Sequence, residues 1–152
     1  MNVVAYTMQY KGALVASDLP TVPFEEKYYD AYKTIYHDCF HEMREALCLQ
    51  PFDACDSVEQ LLEKKDCIFL FLRENEIIGS VAVYGNEIDD LIVAKKFQNR
   101  GYGKKLLSLA ISFMQKQKIN PILLHVAEWN QKAIALYQNN GFIVSEIKTV
   151  TV

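Results

Sequence analysis

Seven residues, Gln98-Asn99-Arg100-Gly101-Tyr102-Gly103-Lys104, have the types and spacing most suited to holding an anion. A strand-like run, Ile88 to Val93, leads into them, and a helix-like run from Lys105 through Met114 follows. The first turn of a helix leaves backbone N–H groups without partners, and the aligned peptide dipoles place roughly half a positive charge there. Gly101 and Gly103 put no side chain between that backbone and a phosphate, and Arg100 and Lys104 add full charges beside it. Two common phosphate loops are excluded by spelling. A Walker loop needs GxxxxGK followed by Ser or Thr, whereas here the glycines are two apart and Lys105 follows Lys104. A dinucleotide fingerprint needs a third glycine where Leu106 stands, and an acidic residue about 20 positions further on that this chain lacks.

What remains is Gln-x-x-Gly-x-Gly, read from Gln98 to Gly103. It resembles the pyrophosphate loop of the GNAT family of N-acetyltransferases, which bind acetyl-CoA. A second segment agrees. Leu124 to Ala127 reads as a strand, followed by Asn130, then Ala133-Ile134-Ala135-Leu136-Tyr137 in the pattern A-x-x-L-Y, then Gly141-Phe142. This is similar to the family's second signature. Its physics is legible on its own: Asn130 is a good helix N-cap and Gly141 suits the left-handed position after a helix. Asn130 and Tyr137, seven residues apart, fall on one helical face, about 10 Å apart along the axis.

The resemblance implies a site. The cofactor would lie where the Leu91–Val93 strand splays away from the Ile122–Ala127 strand. Backbone groups of Leu91, Ile92 and Val93 would pair with the pantetheine arm as an added strand does. N–H groups of Asn99, Arg100, Gly101, Tyr102, Gly103 and Lys104 would hold the pyrophosphate, with Gln98 fixing the loop and Asn130 touching the cofactor as well as capping its helix. Tyr137, a phenol with an ordinary pKa about 10, is the expected general acid for a thiol leaving group. Two bases compete on family positions: Glu87, four residues before the pantetheine segment, and His125, five before the motif asparagine. An imidazole suits proton transfer near neutral pH. A water chain is the third alternative.

The elements that must position these groups follow from periodicity. Val3 to Tyr10 reads as a strand, with Lys11-Gly12 turning into a second short strand, Ala13 to Ala16. Asp18 to Pro23 is a loop. Glu25 to about Leu49 is a helix with Ile35, Cys39, Met43 and Leu47 in one stripe, Tyr36 and Phe40 beside it, and Pro51 ending it. Asp56 or Ser57 caps a short helix. Cys67–Leu72, Ile77–Tyr84 and Glu87–Val93 are a meander of strands, and Ile122–Ala127 another. Phe142 to Val152 is a last strand, with Ile143, Ser145, Ile147, Thr149 and Thr151 on one face. The order βααβββαβαβ indicates one α/β domain over residues 1–152, helices on both faces of a mixed, mostly antiparallel sheet, with a V between the fourth and fifth strands. A typical family member has two strands after its Gly-Phe, but only 11 residues follow Gly141. The final family strand is therefore missing, or the N-terminal hairpin or a partner molecule, as in a homodimer, covers that sheet edge.

Bulk properties exclude several classes. A net charge of −3 gives no electrostatic case for nucleic acid and favours a cationic partner such as an amine. No apolar run approaches the roughly 18 residues of a membrane span, and no leader is evident. Cys39, Cys48, Cys55 and Cys67 show no CxxC spacing and read as reduced core residues of a cytoplasmic protein. His37 and His41 are helically spaced, but Asp38 stands where a zincin needs glutamate, so no metal is expected. The favoured function is an acetyl-CoA-dependent N-acetyltransferase acting on a primary amine of a small molecule or peptide. An acyl-CoA-binding regulatory domain would bind cofactor without acetylating any amine. An assembly module on a bare edge strand would show concentration-dependent size without a cofactor-dependent thermal shift.

Overall fold

The computed structural model describes residues 2–151. Its elements are β1 (Asn2–Tyr10), α1 (Tyr29–Ala46), α2 (Val58–Glu63), β2 (Ile68–Arg73), β3 (Glu76–Tyr84), β4 (Glu87–Val93), α3 (Tyr102–Lys116), β5 (Leu123–Ala127), α4 (Gln131–Gln138) and β6 (Phe142–Thr151). This is the order read from the sequence. Local chemistry explains most boundaries. Glu74 and Asn75, both left-handed (φ 52° and 63°), make the two-residue turn between β2 and β3. Ser57 and Gln60 form a reciprocal capping box at the start of α2.

The strand order is β2-β3-β4-β5-β1-β6. β4 and β5 run parallel; the other pairs are antiparallel. The expected short strand at Ala13–Ala16 does not form. The segment crosses α3 instead, where Val15 N–H donates to Gln115 Oε1 at 2.9 Å and Gln115 Nε2 donates to Ala13 O at 3.1 Å. β1 sits inside the sheet, antiparallel to both β5 and β6, rather than capping its edge. At the opposite edge, Val22 exchanges two backbone hydrogen bonds of 2.9 Å with Leu70 and covers β2.

Two cores flank the sheet. Leu106, Leu107, Ala110, Ile111 and Met114 of α3 pack with Met8, Ile88, Leu124 and Val126 on one face. Tyr32 and Ile35 of α1 and Leu61 of α2 pack on the other face with Phe24, Ile68, Leu70, Ile77 and Ile92. The cysteines depart from expectation: Cys48 is exposed, the other three are only partly buried, and all four are unpaired. Cys39 packs against the second core on the α1 stripe, its thiol donating to Val93 O at 3.4 Å, whereas Cys48, Cys55 and Cys67 lie at or beside element ends. The single face expected along β6 is also broken. Thr7 lies opposite Glu146 but Met8 opposite Val144, so Ser145 is an extra, bulged residue that puts Ile143 and Ile147 on opposite faces.

Gly141 is left-handed at φ 94°, and a Cβ there would lie 2.7 Å from Tyr10 Cε1 and 3.2 Å from the Gly12 Cα. Gly141→Ala should therefore cost about 1–3 kcal/mol through backbone conformation and crowding together. A urea midpoint equal to that of the unsubstituted protein would contradict this.

Candidate active site

The V lies between β4 and β5. They pair only at Glu87–Leu123 and Ile88–Leu124, so the β5-facing side of Leu91 to Val93 has no ladder partner. A β-bulge re-aims β4 at this point. Ser80 faces Ile92 and Ala82 faces Asp89, so three steps on β4 span two on β3. The extra residue is taken up around Asp90, which is left-handed at φ 48°, a conformation that aspartate tolerates better than most residues.

The resulting cleft has a volume of about 270 Å³. Tyr36, Phe40 and Arg44 of α1 form one wall, Asp89 to Leu91 and His125 to Ala127 the flanks, and Asn130 and Tyr137 of α4 the far side. Of the anticipated groups, Leu91, His125, Asn130 and Tyr137 line it together. Glu87 stands behind His125, whose Nε2 is 2.9 Å from Glu87 Oε1 and whose Nδ1 is 3.1 Å from Thr7 Oγ1. The two alternative bases are thus one hydrogen-bonded pair. Because both ring nitrogens of His125 are occupied, the imidazole has no free lone pair for a further proton unless Thr7 turns away.

The glycine turn before α3 forms as its spelling suggests. Asn99 and Gly101 are left-handed (φ 63° and 86°), and the first helical bond of α3 runs from Lys105 N–H to Gly101 O at 3.2 Å. Backbone N–H groups from Asn99 to Lys104 have no acceptor among the described residues. A Cβ built on Gly101 meets nothing within 4 Å, so the space before the loop is open. Gln98 turns inward: its Nε2 donates to Val93 O at 3.0 Å, tying the loop to the end of β4. Tyr102 packs its ring against Phe71 and Phe97, leaving its N–H as the group that faces the cradle. The two sequence signatures meet directly, because Lys132 Nζ at the start of α4 donates to Asn99 Oδ1 at 2.9 Å. Asn130 Oδ1 accepts from Ala133 N–H at 3.2 Å, confirming its cap and leaving its amide NH₂ toward the cleft.

Asp90 and Lys132 were not singled out by sequence. A lysine in a first turn gives no signal of its own. Asp90 sits in an ordinary strand pattern, and only the bulge exposes its special position. Tyr36 Oη donates to Asp90 Oδ1 at 3.2 Å. Burial, and then the charge of Asp89, push the Asp90 carboxyl up to about 6; the Tyr36 hydrogen bond and Lys64 act the other way. Burial, followed by Asp89, also pushes Tyr137 up to about 12.

An acetyltransferase (GNAT) family model matches residues 26–142. The chain belongs to this family. The match covers both signatures and α1 but neither β1 nor most of β6. A streptothricin acetyltransferase A from Bacillus subtilis (strain 168) is 28% identical over 98 residues, covering 61% of this chain and 57% of that protein. The chain therefore spans little more than half the length of that curated relative. A crystal structure of a GNAT-family acetyltransferase from Novosphingobium aromaticivorans superposes with a TM-score of 0.71 at 16% identity, covering 98% of this chain and 63% of that one. It shares the fold. A GNAT acetyltransferase from Elizabethkingia anophelis with acetyl-CoA bound is 27% identical, with a TM-score of 0.50 over 59% of this chain and 63% of that one. Among the described residues, no helix is long and apolar enough to cross a membrane.

Proposed function

We propose that this family member is an N-acetyltransferase that moves the acetyl group of acetyl-CoA to a primary amine, with Asp90 receiving the amine's proton and Tyr137 hydrogen-bonding the departing thiolate. The observation that carries the reading is a cleft that joins the start of the unpaired stretch of β4, at Asp90 and Leu91, to Tyr137 on its far side, with the open α3 loop tied to α4 of that cleft through Lys132 and Asn99. The residues fit acetyl-CoA. Free N–H groups from Asn99 to Lys104 suit a pyrophosphate, with Arg100, Lys104 and Lys132 adding charge, and the bare side of Leu91 to Val93 suits an amide-bearing arm. Bound there, acetyl-CoA supplies an activated thioester.

An alkylammonium must lose a proton before it can attack, and its pKa near 10 opposes this. Asp90 is suited to accept it, being an anion near neutrality with one oxygen still unpartnered. As the C–N bond forms and the C–S bond breaks, the sulfur gains negative charge. Tyr137 is protonated at every physiological pH. Its raised pKa, against about 8.5 for a thiol, makes it a hydrogen-bond donor to the thiolate rather than a full proton donor, a narrower role than general acid. His125 lines the cleft wall and Glu87 behind it holds its ring in place. A reducing compartment such as the cytoplasm suits the four unpaired cysteines.

The test is a thermal-shift titration with acetyl-CoA followed by a panel of amines, including peptide N-termini. Tyr137→Phe should lower kcat about tenfold or more while leaving acetyl-CoA affinity nearly unchanged. Unaltered turnover would remove Tyr137 from the reaction. Binding of acetyl-CoA without acetylation of any amine would leave a cofactor-binding regulatory domain.

A further inference from the structure

The two edges of the sheet are treated differently. Val22 hydrogen-bonds along β2, whereas β6 has β1 on one side and no strand among the described residues on the other. Ile143, Ile147 and Val150 are 51%, 62% and 48% exposed. Among the described residues they make up half of the exposed large hydrophobics, although β6 is one strand of six. An open edge carrying apolar side chains is a template for pairing.

The charges on β6 select the partner. In a symmetric antiparallel pair of β6 strands, the two-fold axis passes through a residue that faces its own copy. An axis at Glu146 opposes two carboxylates, and one at Lys148 opposes two ammonium groups. An axis at Thr149 sets Lys148 against Val150. Only an axis at Ile147 sets each Glu146 opposite Lys148 of the other copy, with Ile147 against Ile147 on the opposite face of the sheet. Within one chain Glu146 and Lys148 lie 3.7 Å apart, so this register closes four charges into a ring of alternating sign. Opposite charges directly across a ladder stabilise it, and like charges destabilise it. The Ser145 bulge ends the regular ladder just before Glu146 and disfavours longer, slipped pairings. We infer that β6 is a homodimerisation edge, taking a second copy of this chain antiparallel about Ile147 to extend the sheet across the dimer. In the row of opposed residues Glu146, Thr7 and His125, the second copy's Lys148 would extend the polar face that flanks the cleft.

Sedimentation equilibrium on the full chain, from about 1 to about 500 µM, brackets the micromolar dissociation constants expected of a small interface. A monomer–dimer equilibrium is expected. Glu146→Lys and Lys148→Glu, each exposed in the monomer, should each weaken it about tenfold or more, and the double exchange should restore it, because the ring again alternates in sign. Hydrogen exchange at rising concentration should slow in β6 amides. A monomer throughout the range, a dimer indifferent to the single exchanges, failure of the double exchange to rescue, or slowed exchange confined to another surface would each overturn the inference. Acetyl-CoA binding by all three variants, followed by melting temperature, confirms that they are folded and reports on the cofactor site separately.

Discussion

Replacing Asp90 by Asn should lower kcat/KM for amine acetylation at pH 7 by about 10²–10⁴-fold, the range ascribed to a positioned general base. Affinity for acetyl-CoA should stay within about twofold, because Asp90 faces α1 rather than the cradle. The pH dependence follows from its surroundings. Tyr32 and Tyr36 of α1, Tyr84 of β3, Asp89 beside it, and Cys55, Asp56 and Lys64 around the start and end of α2 are the titratable groups near it. Burial and the neighbouring carboxylates outweigh Lys64 and the Tyr36 hydroxyl, so the Asp90 carboxyl titrates at about 6. The unsubstituted protein should lose activity as pH falls through 6 and Asp90 takes up a proton. The Asn variant should lack that limb.

Stability carries the opposite sign. The folded pKa lies above the unfolded value of 3.8, so the folded state binds the proton more tightly. The stabilisation this brings is complete below about pH 4 and is lost as pH rises through 6. At pH 7 the ionised, partly buried carboxylate costs on the order of 1–3 kcal/mol, which Asn removes while still accepting from Tyr36. The variant should be the more urea-resistant protein at pH 7, with the difference fading toward pH 4. Activity at pH 7 within about threefold of the unsubstituted protein, or an acid limb that survives the substitution, would rule Asp90 out as the base.

Gly101→Val should weaken acetyl-CoA binding about 10–100-fold. Gly101 holds φ 86°, which costs a β-branched residue roughly 1–2 kcal/mol and pushes the loop toward another conformation. No atom lies within 4 Å of the added Cβ, so the side chain would fill open space in front of the cradle rather than clash with the core. Melting temperature without ligand should fall only slightly. Calorimetric titration separates the two effects, and unchanged affinity would show that the phosphate site lies elsewhere. The Asp90 and Gly101 variants should therefore differ in kind, one losing turnover with binding kept and the other losing binding.

Much of the fold was legible because its signals are local. Glu74-Asn75 announces a tight turn, Ser57 a cap, and the Leu106 to Met114 stripe a helix packed along one face, whereas α1 stops at Ala46, before the left-handed Cys48 (φ 55°), rather than running to Leu49 and Pro51. The turn before α3 was legible for the same reason, since a glycine turn before a helix is complete within seven residues. The Ala13–Ala16 segment misled because side-chain bonds to Gln115, a hundred residues away, compete with strand pairing. The pairing of Glu87 with His125 was hidden too. Each lies on a separate strand, and only sheet register decides that they touch.

The sequence by itself determined the element order, the glycine turn before α3, the helix that carries Asn130 and Tyr137, and through these the family, because each depends on contacts within a few residues of chain. Tertiary structure alone decided that β1 threads between β5 and β6, that a bulge turns Asp90 toward Tyr36, and that Lys132 reaches Asn99. These are distant pairings fixed by the summed burial of two cores, and a carboxyl's proton affinity depends on that enclosure rather than on its neighbours in sequence.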